Sequence, residues 1–167
     1  MDSTQAEAAI KQIDSARDYT LRLIADVEEE EWFRDAGMGT HLAWQIGHLA
    51  MAEYGLCLFR QRGRLDIDRQ LMPGDVRKKY SRGSTPDFDP AGQPSPQDLL
   101  ALLDRIHQQV HSEVPRYSDE ELAAPVDFPY AAYPTRLGAL LFCAHHEMLH
   151  AGQIGLIRRA LGKEPLR

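Results

Sequence analysis

The stretch AHHEMLHAGQI, residues 144–154, contains the pattern H-E-x-x-H at His146, Glu147 and His150. Residues i and i+4 lie on one face of a helix, so the two imidazoles can bind the same metal ion. In zinc proteases this pattern supplies two metal ligands, and its glutamate acts as the general base. The pattern therefore indicates either a protease centre or another metal site.

Helical wheels place both histidines of this pattern on a face that the predicted helix buries. At about 100 degrees per residue, His150 and most nearby apolar side chains lie within about 60 degrees of His146. The other residues of this face are Ala139, Phe142, Cys143, Leu149, Gln153, Ile157, Ala160 and Leu161. Glu147 and His145 fall about 100 degrees to either side, so we predict that both lie at the rim.

A third histidine, His48, faces the predicted core from an earlier helix. Its wheel groups it with His41, Trp44, Gln45, Met51, Ala52, Gly55 and Phe59. Three neutral imidazoles that converge from two helices of a bundle suit a divalent metal with open coordination positions. The alternative is that each histidine hydrogen-bonds separately to a backbone carbonyl or a carboxylate, because buried polar groups require partners.

The context of the motif disfavours a protease. Zinc proteases of this kind take a third protein ligand downstream, but only residues 151–167 follow His150, and they contain no histidine. The extended pattern H-E-x-x-H-x-x-G-x-x-H requires a glycine where this chain has Gln153. No upstream strand pattern provides a sheet edge for a peptide substrate, so the motif indicates another kind of metal site.

Three further residues are candidates for contact with the metal site: His41, Gln153 and Cys143. Cys143 lies about 60 degrees from His146, where it is a fourth ligand, a redox partner or a small core residue. We favour the core residue. His41, near the start of its helix, either supports the site or is exposed.

Two other segments contain residues suited to binding. HQQVH places His107 and His111 at the same i, i+4 spacing, but the wheel predicts one boundary and one surface histidine there. The sequence KKYSRGSTPDF contains Lys78, Lys79 and Arg82, which could close over an anionic substrate or thiol. A solvated basic loop is the alternative, and we favour it.

Apolar periodicity and helix breakers predict four helices and little strand. The predicted helices cover about residues 4–29, 41–61, 96–114 and 136–161, with N-caps at Thr40, Ser95 and Thr135. On the first helix, Ile10, Ile13, Leu21 and Ile24 form a stripe that Arg17 interrupts. The proline- and glycine-containing loop 62–95 is long enough to be a crossover, a lid or a binding segment. These elements predict an all-α four-helix bundle.

Composition predicts one domain over residues 1–167, since 43% apolar residues can fill one sizeable core. The net charge of −6 argues against a nucleic-acid partner, which requires a basic face. Two cysteines are too few for a disulfide framework, and the polar start has no targeting pattern. No apolar run is long enough to span a membrane. We therefore expect a cytoplasmic protein whose partner is a small-molecule substrate, not a membrane.

Two sequence blocks resemble the DinB/YfiT-like superfamily of four-helix-bundle metalloproteins. WQIGHLAMAE resembles the family's W-x-x-G-H-L pattern at Trp44, Gly47 and His48, and HEMLHAGQIGLIRRALG resembles its H-x-x-x-H-x-G-Q-I helix. The resemblance implies an up-down-down-up bundle with one long crossover. It also implies a metal triad of His48, His146 and His150 beside Gln153, with zinc or nickel as the metal. Relatives are often homodimers.

The resemblance also implies a reaction class. Better-understood relatives use low-molecular-weight thiols, as S-transferases or thiol-dependent isomerases, so we expect a metal-dependent enzyme with a thiol cosubstrate. A metal-dependent hydrolase with the same triad is the nearest alternative, because a metal also activates water. A non-catalytic metal-binding stress or sensor module is the third. The sequence identifies no catalytic residue beyond the metal ligands.

Overall fold

The computed structural model describes residues 3–127 and 131–166 and is all-α. The four long helices are α1 (Thr4–Ile24), α2 (Leu42–Glu53), α3 (Pro96–Glu113) and α4 (Arg136–Ala160). Helix α2 continues through a π-helical turn, Tyr54–Phe59, and a last α-helical turn, Arg60–Arg62. The described ranges contain no β-strand, only an isolated bridge between Pro125 and Thr135. The predicted fold class, an all-α four-helix bundle, is confirmed.

Contacts between side chains fix the direction of α1 relative to α4. Arg17 of α1 pairs with Glu147 of α4, and further along both helices Arg158 donates to the carbonyl of Leu23. Residue numbers rise together along this pair, so α1 and α4 run parallel.

Helices α2 and α3 run in the opposite direction. Gln45 contacts His150, whereas Gln61, at the far end of the same helix, donates to the carbonyl of Arg136. Helix α2 is therefore antiparallel to α4. Helix α3 runs parallel to α2, because Glu53 pairs with His107 and, further along both helices, Arg62 pairs with Glu113. The result is the up-down-down-up order, with the loop 62–95 as the crossover.

The predicted N-caps of α3 and α4 are confirmed, whereas that of α2 is wrong. Ser95 and Thr135 cap α3 and α4, each accepting a hydrogen bond from a backbone N–H of the first turn. Thr40 does not cap α2: His41 does, because its Nδ1 accepts from the backbone N–H of Trp44 at 3.2 Å. The first helix ends at Ile24, before the predicted residue 29, and a short 3₁₀ turn, Glu29–Glu31, follows.

The crossover loop packs against α2 beside the histidines. It contains two short helices, Asp68–Leu71 and Gly74–Lys79. After the second, the ring of Tyr80 lies on Gly47, where an added Cβ would be 2.6 Å from ring carbons. A glycine at this position therefore lets the loop approach the helix backbone closely, which explains its presence in the W-x-x-G-H-L pattern.

A charged cluster lies inside the core. Arg17 is only 4% exposed, and its guanidinium pairs with Glu53 of α2 and Glu147 of α4, both also buried. Arg17 thus lies within the buried stripe of α1, whereas Leu21, predicted on that stripe, is 40% exposed.

Across the part of the chain that is described, no helix combines the length and hydropathy needed to cross a membrane.

Candidate metal centre

Three histidines converge where α2 faces α4. His48 comes from α2, and His146 and His150 come from successive turns of α4. One ring nitrogen from each lies within 4.8 Å of the other two, and the Nε2 atoms of His48 and His146 are 3.4 Å apart. The helices therefore bring together the three residues that the sequence predicted as metal ligands.

Hydrogen bonds fix the orientation of two of these rings. The Nδ1 of His48 lies 2.7 Å from the carbonyl oxygen of Tyr80, and the Nδ1 of His150 lies 2.6 Å from Oε1 of Gln45. Both partners only accept, since the amide nitrogen of Gln45 donates to Thr40. Each Nδ1 must therefore carry the proton, which leaves the Nε2 lone pair free to bind a metal.

Burial keeps the three imidazoles neutral. It lowers the pKa of His48 and, with the neighbouring His48 ring, lowers that of His146 to about 4. Burial, together with His146 and His48, lowers the pKa of His150 to about 3. Metal binding requires neutral imidazole, so no proton has to be displaced near pH 7.

The geometry fits a metal bound by three histidines. Two nitrogens that each lie about 2.0–2.1 Å from a tetrahedral zinc ion are about 3.4 Å apart. The Nε2 atoms of His48 and His146 already have this separation. With its Nδ1 protonated, His48 offers a lone pair at Nε2, and a neutral His146 either donates an Nε2–H to that lone pair or, as the other tautomer, shares a cation with it.

Glu147 is not at the rim, and this prediction was wrong. Its side chain is 3% exposed, and its two oxygens accept from Nε and Nη2 of Arg17 at 2.8 and 3.0 Å. The buried face of α4 is centred near Glu147, not His146, because α1 supplies a cation there. Leu149, predicted on the buried face, is 65% exposed. A carboxylate held in this way by arginine is unsuited to be the general base of a protease.

The three candidate neighbours have different positions. Gln153 lies beside His150, where it acts against the lowering of that imidazole's pKa, and both residues line one cavity. His41 is buried, but its Nε2 donates to the carbonyl of Asp87 and its Nδ1 caps α2. Cys143 is a core residue, as favoured. Its thiol interacts with that of Cys57, and this contact and burial raise its pKa well above the ordinary value.

Gln45 and Tyr80 were not predicted to support the site. The wheel placed Gln45 on the face of His48, and a glutamine on an apolar face three residues before a histidine is a usable signal. Tyr80 contributes its backbone carbonyl, so its side-chain type carries no such signal. Trp44 completes the support, with its ring stacked on that of His48 at 4.7 Å between centroids.

Two cavities open beside the triad. One, of about 450 Å³, is lined by His150 and Gln153 together with residues of the segment before α2. The other, of about 410 Å³, is lined by His48 and His146 and also by two cationic residues, Arg60 and Arg82. The histidines therefore have openings on both sides.

A four-helix bundle with histidines converging from two facing helices is a framework that holds metal ions in bundle cores. The family model of the DinB superfamily matches residues 12–154, a range that includes all three histidines. The chain belongs to the DinB superfamily. A search of curated proteins found no match.

Proposed function

We propose that this protein binds one divalent metal ion, zinc or nickel, at His48, His146 and His150, and that it is an enzyme using a low-molecular-weight thiol. The reaction would be S-transfer or thiol-dependent isomerisation. The observation that carries the proposal is the pair of Nδ1–H groups held by Tyr80 and Gln45. These bonds leave the Nε2 atoms of His48 and His150 unprotonated, in a group of three histidines whose ligand nitrogens lie within 4.8 Å of one another beside two open cavities.

A divalent metal held by three imidazoles lowers the pKa of a thiol or water at a remaining coordination position. The protein's own groups position the substrates. Arg60 and Arg82 line the cavity at His48 and His146, so this side suits a thiol or acceptor that carries carboxylates. We therefore propose a small anionic molecule as the partner.

The two alternatives need the same ligands but differ in what they consume. A thiol enzyme removes free thiol only when its second substrate is present. A hydrolase releases product in buffer alone. A metal-binding sensor module shows metal-dependent partner binding without turnover. Arg60 and Arg82 favour an anionic substrate for either enzyme, so the thiol reaction is preferred to hydrolysis only on the resemblance to thiol-using relatives. Homodimer formation and a cytoplasmic location stay predictions.

Cobalt substitution tests the thiol proposal. We expect a small biological thiol to shift the visible spectrum of the cobalt protein towards sulfur-to-metal charge transfer, because a soft sulfur donor displaces water from a borderline metal. The His146→Ala variant should lose the shift, whereas Cys143→Ala should keep it. In Arg82→Gln, the thiol concentration that gives half of the spectral shift should rise several-fold, while the cobalt content stays the same. A spectrum that no thiol changes would contradict the thiol proposal and leave hydrolysis.

A further inference from the structure

A second group of potential metal ligands lies between α1 and α3, away from the triad. Asp14 of α1 faces His107 and His111, which are one turn apart on α3. The Oδ1 atom of Asp14 is 3.3 Å from Nε2 of His107 and 2.7 Å from Nε2 of His111. The three ligand atoms all lie within 4.8 Å of one another.

The orientation of His107 is set from inside the core. Its Nδ1 lies 2.7 Å from Oε1 of Glu53, whose side chain is 1% exposed and is itself held by Arg17. A carboxylate accepts but cannot donate, so Nδ1 carries a proton and Nε2 points towards Asp14. This carboxylate–histidine arrangement is the usual support of a histidine that binds a metal.

Solvent reaches the opposite side of the group. The exposed fractions of the side chains are 18% for His107, 37% for Asp14 and 41% for His111. A hydrated cation can enter here, and water can complete its coordination. Asp14 and His111, now 2.7 Å apart, are exposed enough to separate to the roughly 3.4 Å expected of two ligands on one tetrahedral metal ion.

We propose that Asp14, His107 and His111 form a second site for a zinc-like divalent cation, which ties α1 to α3. Two imidazoles and one carboxylate are a donor set that zinc and similar borderline ions accept. Fewer imidazoles and greater exposure make this site weaker than the triad. The inference goes beyond the proposed function and does not rest on it.

Protons compete with the cation for this group. Burial lowers the pKa of His107, but the hydrogen bond and charge of Glu53 outweigh it and raise the pKa. A raised pKa favours the protonated imidazole, and a cation would compete with that proton for His107. This competition is a second reason why the site would be weaker than the triad.

Zinc titration of tag-free protein against a chromophoric chelator tests the second site. We expect two equivalents in the wild type. Asp14→Ala and His111→Ala should each weaken the second equivalent at least tenfold, with helical content checked by circular dichroism. Asp18→Ala, one turn further along α1, is the matched control and should keep both. In the wild type, bound zinc should also protect His111 from chemical modification of its imidazole.

The outcomes at the two sites are distinguishable. A single equivalent that depends on His146, with His111 unprotected, would overturn the second site and leave the triad. A weaker equivalent that survives both Asp14→Ala and His111→Ala would also overturn it. A third outcome is zinc binding that is lost in Asp14→Ala but unchanged in His146→Ala. It would support the second site and contradict the proposed function.

Discussion

The Nδ1 of His150 lies 2.6 Å from Oε1 of Gln45, and this contact joins α4 to α2 at the site. The glutamine is itself oriented, because its amide group donates to Thr40 at 3.0 Å. The contact fixes the orientation of the His150 ring, which lies 4.7 Å from the His48 ring and 4.5 Å from the His146 ring between centroids. We therefore expect the proposed metal site to depend on a residue that need not touch the metal.

Replacing Gln45 tests this dependence. Gln45→Met keeps the volume but removes the acceptor, so we expect metal affinity to fall about 10- to 100-fold, as for other partners of metal-binding histidines. Gln45→Glu retains an acceptor and should restore most of the affinity. Competition with a chelator measures both. Equal affinities in Gln45→Met and the wild type would contradict the orienting role.

Gly47 allows a second orienting contact. In Gly47→Ala the new Cβ meets the Tyr80 ring, which must move and take with it the carbonyl that holds His48. We expect a loss of about 1–3 kcal/mol in the free energy of unfolding, together with weaker metal binding. Gly55→Ala is the control, since an added Cβ there meets nothing within 4 Å. Identical urea midpoints for the two variants would contradict the packing argument.

Arg17 holds two buried carboxylates, and its loss should be costly. Arg17→Met leaves Glu53 and Glu147 buried without their cation, which typically costs about 3–5 kcal/mol. Lys11→Ala breaks an exposed pair with Glu7 on the same helix and should change stability little. Urea unfolding of both variants measures the difference. A small effect of Arg17→Met would mean that the charged cluster does not stabilise the fold.

The pH dependence of the metal-free protein has a definite sign. The pKa of His146 is lowered to about 4 in the folded protein, against an unfolded value of about 6.5. The folded state thus binds fewer protons, so stability is full above about pH 6.5 and falls as pH drops towards 4, by about 1.4 kcal/mol per pH unit for each proton. His146→Gln, unfolded with urea under a chelator, should show a slope shallower by one proton. An unchanged slope would contradict the lowered pKa of the half-buried His146.

Local patterns predicted the helices and the convergence of three histidines because both depend on periodicity; their role as metal ligands stays a prediction. The spacing of His146 and His150 puts them one turn apart on any helix, and His48 shares an apolar face with Gln45. The contacts across the fold were not predictable in this way. On a helical wheel Glu147 is a rim residue. It is buried because Arg17, on another helix, pairs with it.

The second group of potential ligands, Asp14, His107 and His111, shows the same limit. His107 and His111 have metal-binding spacing, but nothing in HQQVH identifies Asp14, which lies in another helix. The boundary and surface positions predicted for the two histidines are confirmed by their exposed fractions of 18% and 41%. Only the antiparallel packing of α1 on α3 brings the carboxylate to them.

Metal analysis of protein purified without a histidine tag tests the central claim most directly. The wild type should contain one tightly bound divalent ion, and His48→Ala, His146→Ala and His150→Ala should each lose it. His145→Ala, on the same helix but outside the group, should keep it, as should His107→Ala and His111→Ala. Full retention of the tight metal by any of the three triad variants would contradict the assignment of His48, His146 and His150 as its ligands.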